Sequence, residues 1–116
     1  MDTPPANSAD LTATATRDLA ELSAIEIIGA NAVDLMTAAA VKLGLYEGTQ
    51  AAVDLAEARI LIEALAGLVN ASVPHLGHHH AAPLRDGLAT LQKAFREAQE
   101  FPDGPGEGPG ERPSRR

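Results

Sequence analysis

Ser23-Ala24-Ile25-Glu26-Ile27-Ile28-Gly29-Ala30-Asn31-Ala32-Val33-Asp34-Leu35-Met36-Thr37-Ala38-Ala39-Ala40-Val41-Lys42-Leu43-Gly44 is a stretch written for a helix. Its opening four residues fit a capping box, in which the Ser23 hydroxyl accepts from an orphan amide and Glu26 reaches back to the Ser23 N–H. Leu22 and Ile27 stand where a hydrophobic staple sits, and Gly44 is placed to end the helix in a left-handed conformation. Ile25, Ile28, Ala32, Leu35, Met36, Ala39 and Leu43 share one apolar face. On nearly the opposite side, Ile27, Ala30, Asp34, Ala38 and Val41 make a second. Only Glu26, Asp34 and Lys42 are charged, and a helix apolar on two sides needs partners on two sides.

Downstream, a loop from Leu45 to about Val53 leads to Asp54, an N-cap with Glu57 three positions on. A second helix runs from there to about Ala71. Val73-Pro74 and Gly77 break the chain, and a third helix begins near Ala81, accepts Pro83 in its first turn and stops before Pro102. The expected helices are thus about 23–43, 54–71 and 81–99. In the third, Leu84, Leu88, Leu91, Phe95 and Ala98 form one narrow stripe; in the second, Ala58, Leu61, Ile62, Leu65, Leu68 and Val69 form a broader one. Arg59 and Glu63, four apart, are spaced to pair on its outer side. No strand alternation occurs, and alanine stands where a strand favours β-branched residues. The fold class is all-α: a three-helix core over 23–100. Two single-striped helices leave the first one partly wet, which predicts a homo-oligomer, most simply a twofold dimer, with Ile27, Ala30, Asp34, Ala38 and Val41 at the interface.

Composition agrees with a small assembling unit. The chain has 116 residues, 45 % of them hydrophobic, but alanine supplies much of that share and aromatic residues only 3 %. A large self-sufficient core is not expected. With no cysteine, disulfides, thiolate metal sites and cysteine nucleophiles are excluded. The net charge of -7 argues against general binding of nucleic acid or anionic membranes. The polar interruptions between Ile25 and Leu45 read as too frequent for a membrane span, and no signal peptide is expected. Residues 1–22 carry four acids against one base and include Pro4 and Pro5; only Arg17 to Leu22 looks able to order, as one helical turn. Residues 101–116 hold four prolines and four glycines. Both ends are expected to be disordered. Arg112, Arg115 and Arg116 are too few to act as a basic arm.

Three groups carry candidate chemistry. His75, His78, His79 and His80 cluster, and imidazole is a common metal ligand. The spacing is not that of a helical zinc motif, however, and three adjacent side chains do not face one ion. The preferred expectation is that His78 or His79 caps the third helix while the others are solvated; His79 and His80 remain the weak metal candidates. Asp34 lies within an apolar face, where an unpaired buried carboxylate is costly. A general base is one reading; an ion pair or hydrogen bond to Lys42, Arg59, Arg85 or a symmetry mate is preferred. Arg85 opposes the helix dipole at the start of the third helix, whereas Asp86 complements it, so Arg85 is expected to have an acidic partner within the fold. Thr37, Ser72 and Thr90 lack a spaced base. Gly67, Gly77 and Gly87 do not make a phosphate loop, and stacking surfaces for bases are lacking.

Two strings carry a resemblance. One is Val33-Asp34-Leu35-Met36-Thr37-Ala38-Ala39-Ala40-Val41-Lys42-Leu43-Gly44-Leu45, followed by Asp54-Leu55-Ala56-Glu57-Ala58-Arg59 and Leu65-Ala66-Gly67-Leu68. The other is His79-His80-Ala81-Ala82-Pro83-Leu84-Arg85-Asp86-Gly87-Leu88 with Leu91-Gln92 and Ala94-Phe95-Arg96-Glu97-Ala98. Together they resemble the actinobacterial form of the domain of unknown function 1844 family, over about residues 17–108, including its habit of ending in a Pro/Gly-rich tail. His79, His80, Pro83, Arg85 and Asp86 match the family string; His75 and His78 depart from it. The resemblance implies a small cytoplasmic helical protein, brings no catalytic residues or cofactor, and suggests a link with translation by association.

The leading expectation is a non-enzymatic, cofactor-free homo-oligomer acting through an unidentified protein partner, without membrane or direct nucleic-acid binding. The alternative is a metal- or small-ligand-binding protein, with a hydrolase as one form of it, using the His75–His80 cluster with Asp34 and Arg85.

Overall fold

A computed structural model describes residues 8–111. Four α-helices follow one another, α1 (Ser8–Glu21), α2 (Ala24–Lys42), α3 (Leu55–Ser72) and α4 (His78–Ala98), with no strand among the described residues. The protein is all-α, and α2, α3 and α4 are the three helices expected from periodicity. α2 packs along α3, and α4 packs against both.

The capping box that opens α2 is formed in full. Glu26 N–H donates to Ser23 Oγ at 3.2 Å, and Ser23 N–H donates to Glu26 Oε1 at 2.9 Å. The hydrogen bond from the Ser23 backbone holds the Glu26 carboxyl below its ordinary value. Replacing Ser23 by alanine should cost about 1 kcal/mol of stability, read from the urea midpoint. Because Glu26 has a depressed pKa in the fold, its own contribution is present above the ordinary carboxylate value. It is lost as pH falls through the lower folded one, so the stability difference between wild type and Glu26→Gln should narrow in acid, whereas Ser23→Ala keeps the backbone N–H that holds the carboxylate. A difference that is unchanged at low pH contradicts this coupling.

The other end of α2 is equally well determined. Leu45 N–H reaches Ala40 O and Gly44 N–H reaches Val41 O, both at 3.0 Å. Gly44 has φ +72, so the pair is a Schellman ending. The loop then closes on itself, with Asp54 N–H donating to Lys42 O at 2.8 Å. Asp54 caps α3 by accepting from Glu57 N–H at 3.1 Å.

The core is small-sided on α2 and larger elsewhere. α2 contributes Ala32, Ala39, Ala40 and, just past its end, Leu43; α3 adds Ala58, Ile62, Leu65, Ala66 and Val69; α4 adds Leu84, Leu88, Leu91 and Phe95. Alanine on both α2 and α3 lets two backbones approach closely, so the seam gains contact without large side chains. Ser72, a buried polar residue, is satisfied by donating to Leu68 O at 2.6 Å.

Four expectations need correction. α4 begins at His78, three residues before Ala81, because Gly77 takes the N-cap position and its carbonyl accepts from both His80 N–H and Ala81 N–H at 2.9 Å. Gly77 provides no side-chain cap, and neither His78 nor His79 serves as one: both lie inside the first turn. Pro83 therefore sits within the helix, where its missing N–H leaves the exposed His79 carbonyl to solvent. At the N-terminus, helix covers Ser8–Glu21 and not just one turn, since no proline or glycine interrupts an Ala- and Leu-containing run there. Residues 11–24 are exposed throughout.

The C-terminal segment also departs from the expected disorder. Residues 101–111 turn back along α3 and α4 through glycines at φ +76 (Gly106) and +71 (Gly110), with Pro109 fully buried. Arg59 pairs with Asp103 at 2.8 Å and Arg96 pairs with Glu111. Arg59 is thus taken by Asp103 and not by Glu63. High Pro and Gly content excludes regular structure, but not a turn fixed by ion pairs. The readings for residues 1–7 and 112–116, including Arg112, Arg115 and Arg116, lie outside the described residues.

Candidate interaction surface

The second face of α2 is unevenly covered. Ile27, Ala38 and Val41 are half-buried by their own chain, while Ala30 and Asp34 are exposed. Val33, between the two faces, is 54 % exposed. From Val33 an apolar groove of about 470 Å³ runs between α2 and α4, lined by Met36, Ala40, Leu45, Tyr46 and Leu91 among others. Leu45 and Tyr46, which follow the Schellman turn, are 53 % and 49 % exposed. Gly87 makes the groove possible: a Cβ there would lie 2.7 Å from Met36 Cε. Any side chain at this position would push Met36 out of the groove floor.

Sequence reasoning missed Val33, Leu45 and Tyr46 as surface features. Val33 belongs to neither stripe cleanly, and Leu45-Tyr46 sits in a loop, where helical periodicity says nothing about exposure. Leu-Tyr directly after a helix-ending glycine was the available signal, since apolar residues at that position pack back over the helix end.

α2 is also notable for length and composition. It has 19 residues at mean hydropathy 1.5, with 17 % of that stretch buried inside the chain. By those two measures alone it is long and apolar enough to cross a membrane. Three charges, each eight residues from the next, do not lower the mean far. At ~1.5 Å per residue the helix is about 28 Å long, close to a hydrocarbon core. The core helix of a soluble protein passes the same test.

The remaining candidates do not converge. His75, His78, His79 and His80 are all exposed. The His79 and His80 rings lie 5.4 Å apart and tilted. Among the described residues no group of three or more His, Asp or Glu side chains is placed to hold a metal ion. Asp34 forms no ion pair with Lys42, Arg59 or Arg85 among the described residues; being exposed, it is stabilised by water. Arg85 and Asp86 are likewise exposed and unpaired there, so Arg85 needs no acidic partner to offset the dipole. A second, polar cavity of about 440 Å³ lies between α3 and the returning tail, lined by Glu63, Asn70, Glu107 and neighbouring glycines.

Comparison with known proteins gives one match. The family model described as domain of unknown function (DUF1844) matches residues 28–97, more than half of the chain. No curated protein and no solved structure matches.

Proposed function

The chain belongs to the domain of unknown function family DUF1844, and from that premise we propose that it is a non-enzymatic homo-oligomeric protein acting in the cytoplasm through protein contacts. The observation that supports this most directly is α2: an apolar helix on which Ala32, Ala39 and Ala40 are buried by the chain, Ile27, Ala38 and Val41 only half-buried, and Ala30 and Val33 exposed. Such a surface is stabilised when a second apolar surface excludes water from it. The small residues Ala30 and Ala38 permit close backbone approach, and the groove from Val33 to Tyr46 continues the same apolar surface. The simplest assembly is a twofold dimer with α2 at its centre. A net charge of -7 disfavours nucleic acid as the direct partner.

Light scattering on the full chain at micromolar concentration should return twice the 12.0 kDa chain mass. An Ala30→Glu/Val33→Glu variant, altered only at exposed positions, should return the single-chain mass with unchanged helical circular dichroism. A wild-type monomer would overturn the proposal. Flotation with neutral vesicles checks the competing occupant of α2: recovery of the wild-type chain with lipid would replace the dimer by a bilayer. The link with translation belongs to the same proposal and rests on family resemblance. Affinity capture from the native cells tests it, with ribosomal proteins or an initiation factor as the expected company.

A further inference from the structure

The C-terminal turn is attached as a ligand is attached, by a few directional contacts at its two ends and one buried anchor. At one end Asp103 accepts from Arg59 Nη2 at 2.8 Å and from Gln99 Nε2 at 3.2 Å, while its own N–H donates to Gln99 Oε1 at 3.3 Å. Arg59 is itself held over the Phe95 ring, 4.9 Å from its centre, so the guanidinium meets the carboxylate already oriented. The Arg59 contact keeps the Asp103 carboxyl below its ordinary value. At the other end Arg96 pairs with Glu111. Between them Pro109 is fully buried and its carbonyl accepts from Gln92 Nε2 at 3.1 Å. Gly110 lies so close to α3 that an added Cβ would stand 2.5 Å from Ala66 Cβ, so glycine alone fits after the proline.

Asp103, Pro109 and Glu111 all meet side chains on the helical surface of α3 and α4 or in the Gln99 joint that follows, and the recognition pattern is explicit: a carboxylate, a spacer, then Pro-Gly-carboxylate. From this we infer that the α3–α4 surface bearing Arg59, Gln92, Phe95 and Arg96 is a peptide-recognition groove for a turn-forming acidic Pro-Gly segment. The chain's own residues 103–111 are the resident ligand. A tethered ligand acts at an effective concentration on the order of millimolar. An outside peptide of the same chemistry therefore binds weakly while the tail is seated and well once it is released. Phe101, 83 % exposed, and Pro102 form the joint through which the tail leaves.

The test uses the full chain with Asp103→Ala and Glu111→Ala, which removes both carboxylate anchors of the resident tail. A fluorescent peptide of residues 101–116 is titrated against it by polarisation. The expected result is saturable binding, at least tenfold tighter than to the wild-type chain. It should weaken at least tenfold on adding Arg59→Gln or Arg96→Gln, or on using a peptide with Asn and Gln at the positions of Asp103 and Glu111. No saturable binding, or binding indifferent to those changes, overturns the inference. So does loss of helical circular dichroism in the Asp103→Ala/Glu111→Ala chain, since the segment would then be part of the core and not a ligand.

Discussion

Phe95→Ala is expected to destabilise the protein by about 3–5 kcal/mol, the range for emptying an aromatic site in a core. Phe95 is 2 % exposed and is the only aromatic side chain among the buried core residues. The loss also removes the surface on which the Arg59 guanidinium rests, and with it the orientation of the Arg59–Asp103 pair. At roughly 0.05–0.15 kcal/mol per residue a chain of this size has little to spare. The variant should be partly unfolded at room temperature and show a much lower urea midpoint. Phe95→Leu, which keeps most of the volume, should lose far less. Equal midpoints for wild type and Phe95→Ala would mean that the core is centred elsewhere.

Gly44→Ala is expected to cost about 2–5 kcal/mol, from two separable sources. An L side chain in the left-handed region costs about 1–2 kcal/mol, and overpacking costs a further 1–3 kcal/mol. Both apply here, because Gly44 has φ +72 and a Cβ would fall 2.7 Å from Val53 Cγ2 and 3.4 Å from Gln50 Cα. A double-mutant cycle separates them. Combining Gly44→Ala with Val53→Ala should recover the overpacking part and leave the backbone part. Val53 is 47 % exposed, so Val53→Ala alone should change stability little. Full recovery in the double variant would show that the glycine is needed for room and not for its torsion angles.

The elements that were legible in advance are those governed by neighbours in sequence. Ser23 with Glu26, Asp54 with Glu57, and Gly44 act over three to five residues, and each does what its spacing implies. The stripes of α3 and α4 follow from helical period alone, and the family strings lie on these same helices. What was not legible depends on residues far apart in the chain. Arg59 is four residues from Glu63 but pairs with Asp103, forty-four positions away, because Phe95 fixes its guanidinium on that side. Pro109 looks like a breaker in isolation; only the facing Gln92 and Ala66 make it an anchor. Asp34 looked costly on an apolar stripe, yet that stripe turns partly to water. Periodicity reports which residues share a face, not how much of that face another helix covers.

The alanines between α2 and α3 carry one more consequence. Ala32, Ala39 and Ala58 have no exposure at all, so they act as spacers that set how far apart the two rods stand. Alanine is ordinarily the residue that tolerates replacement best, but in this seam any added methyl group is a wedge that levers one helix off the other. Evolution of a tighter protein is thereby steered away from its middle. Room for new bulk lies at the rim, around Val33 and Tyr46, where growth meets solvent instead of a neighbouring backbone.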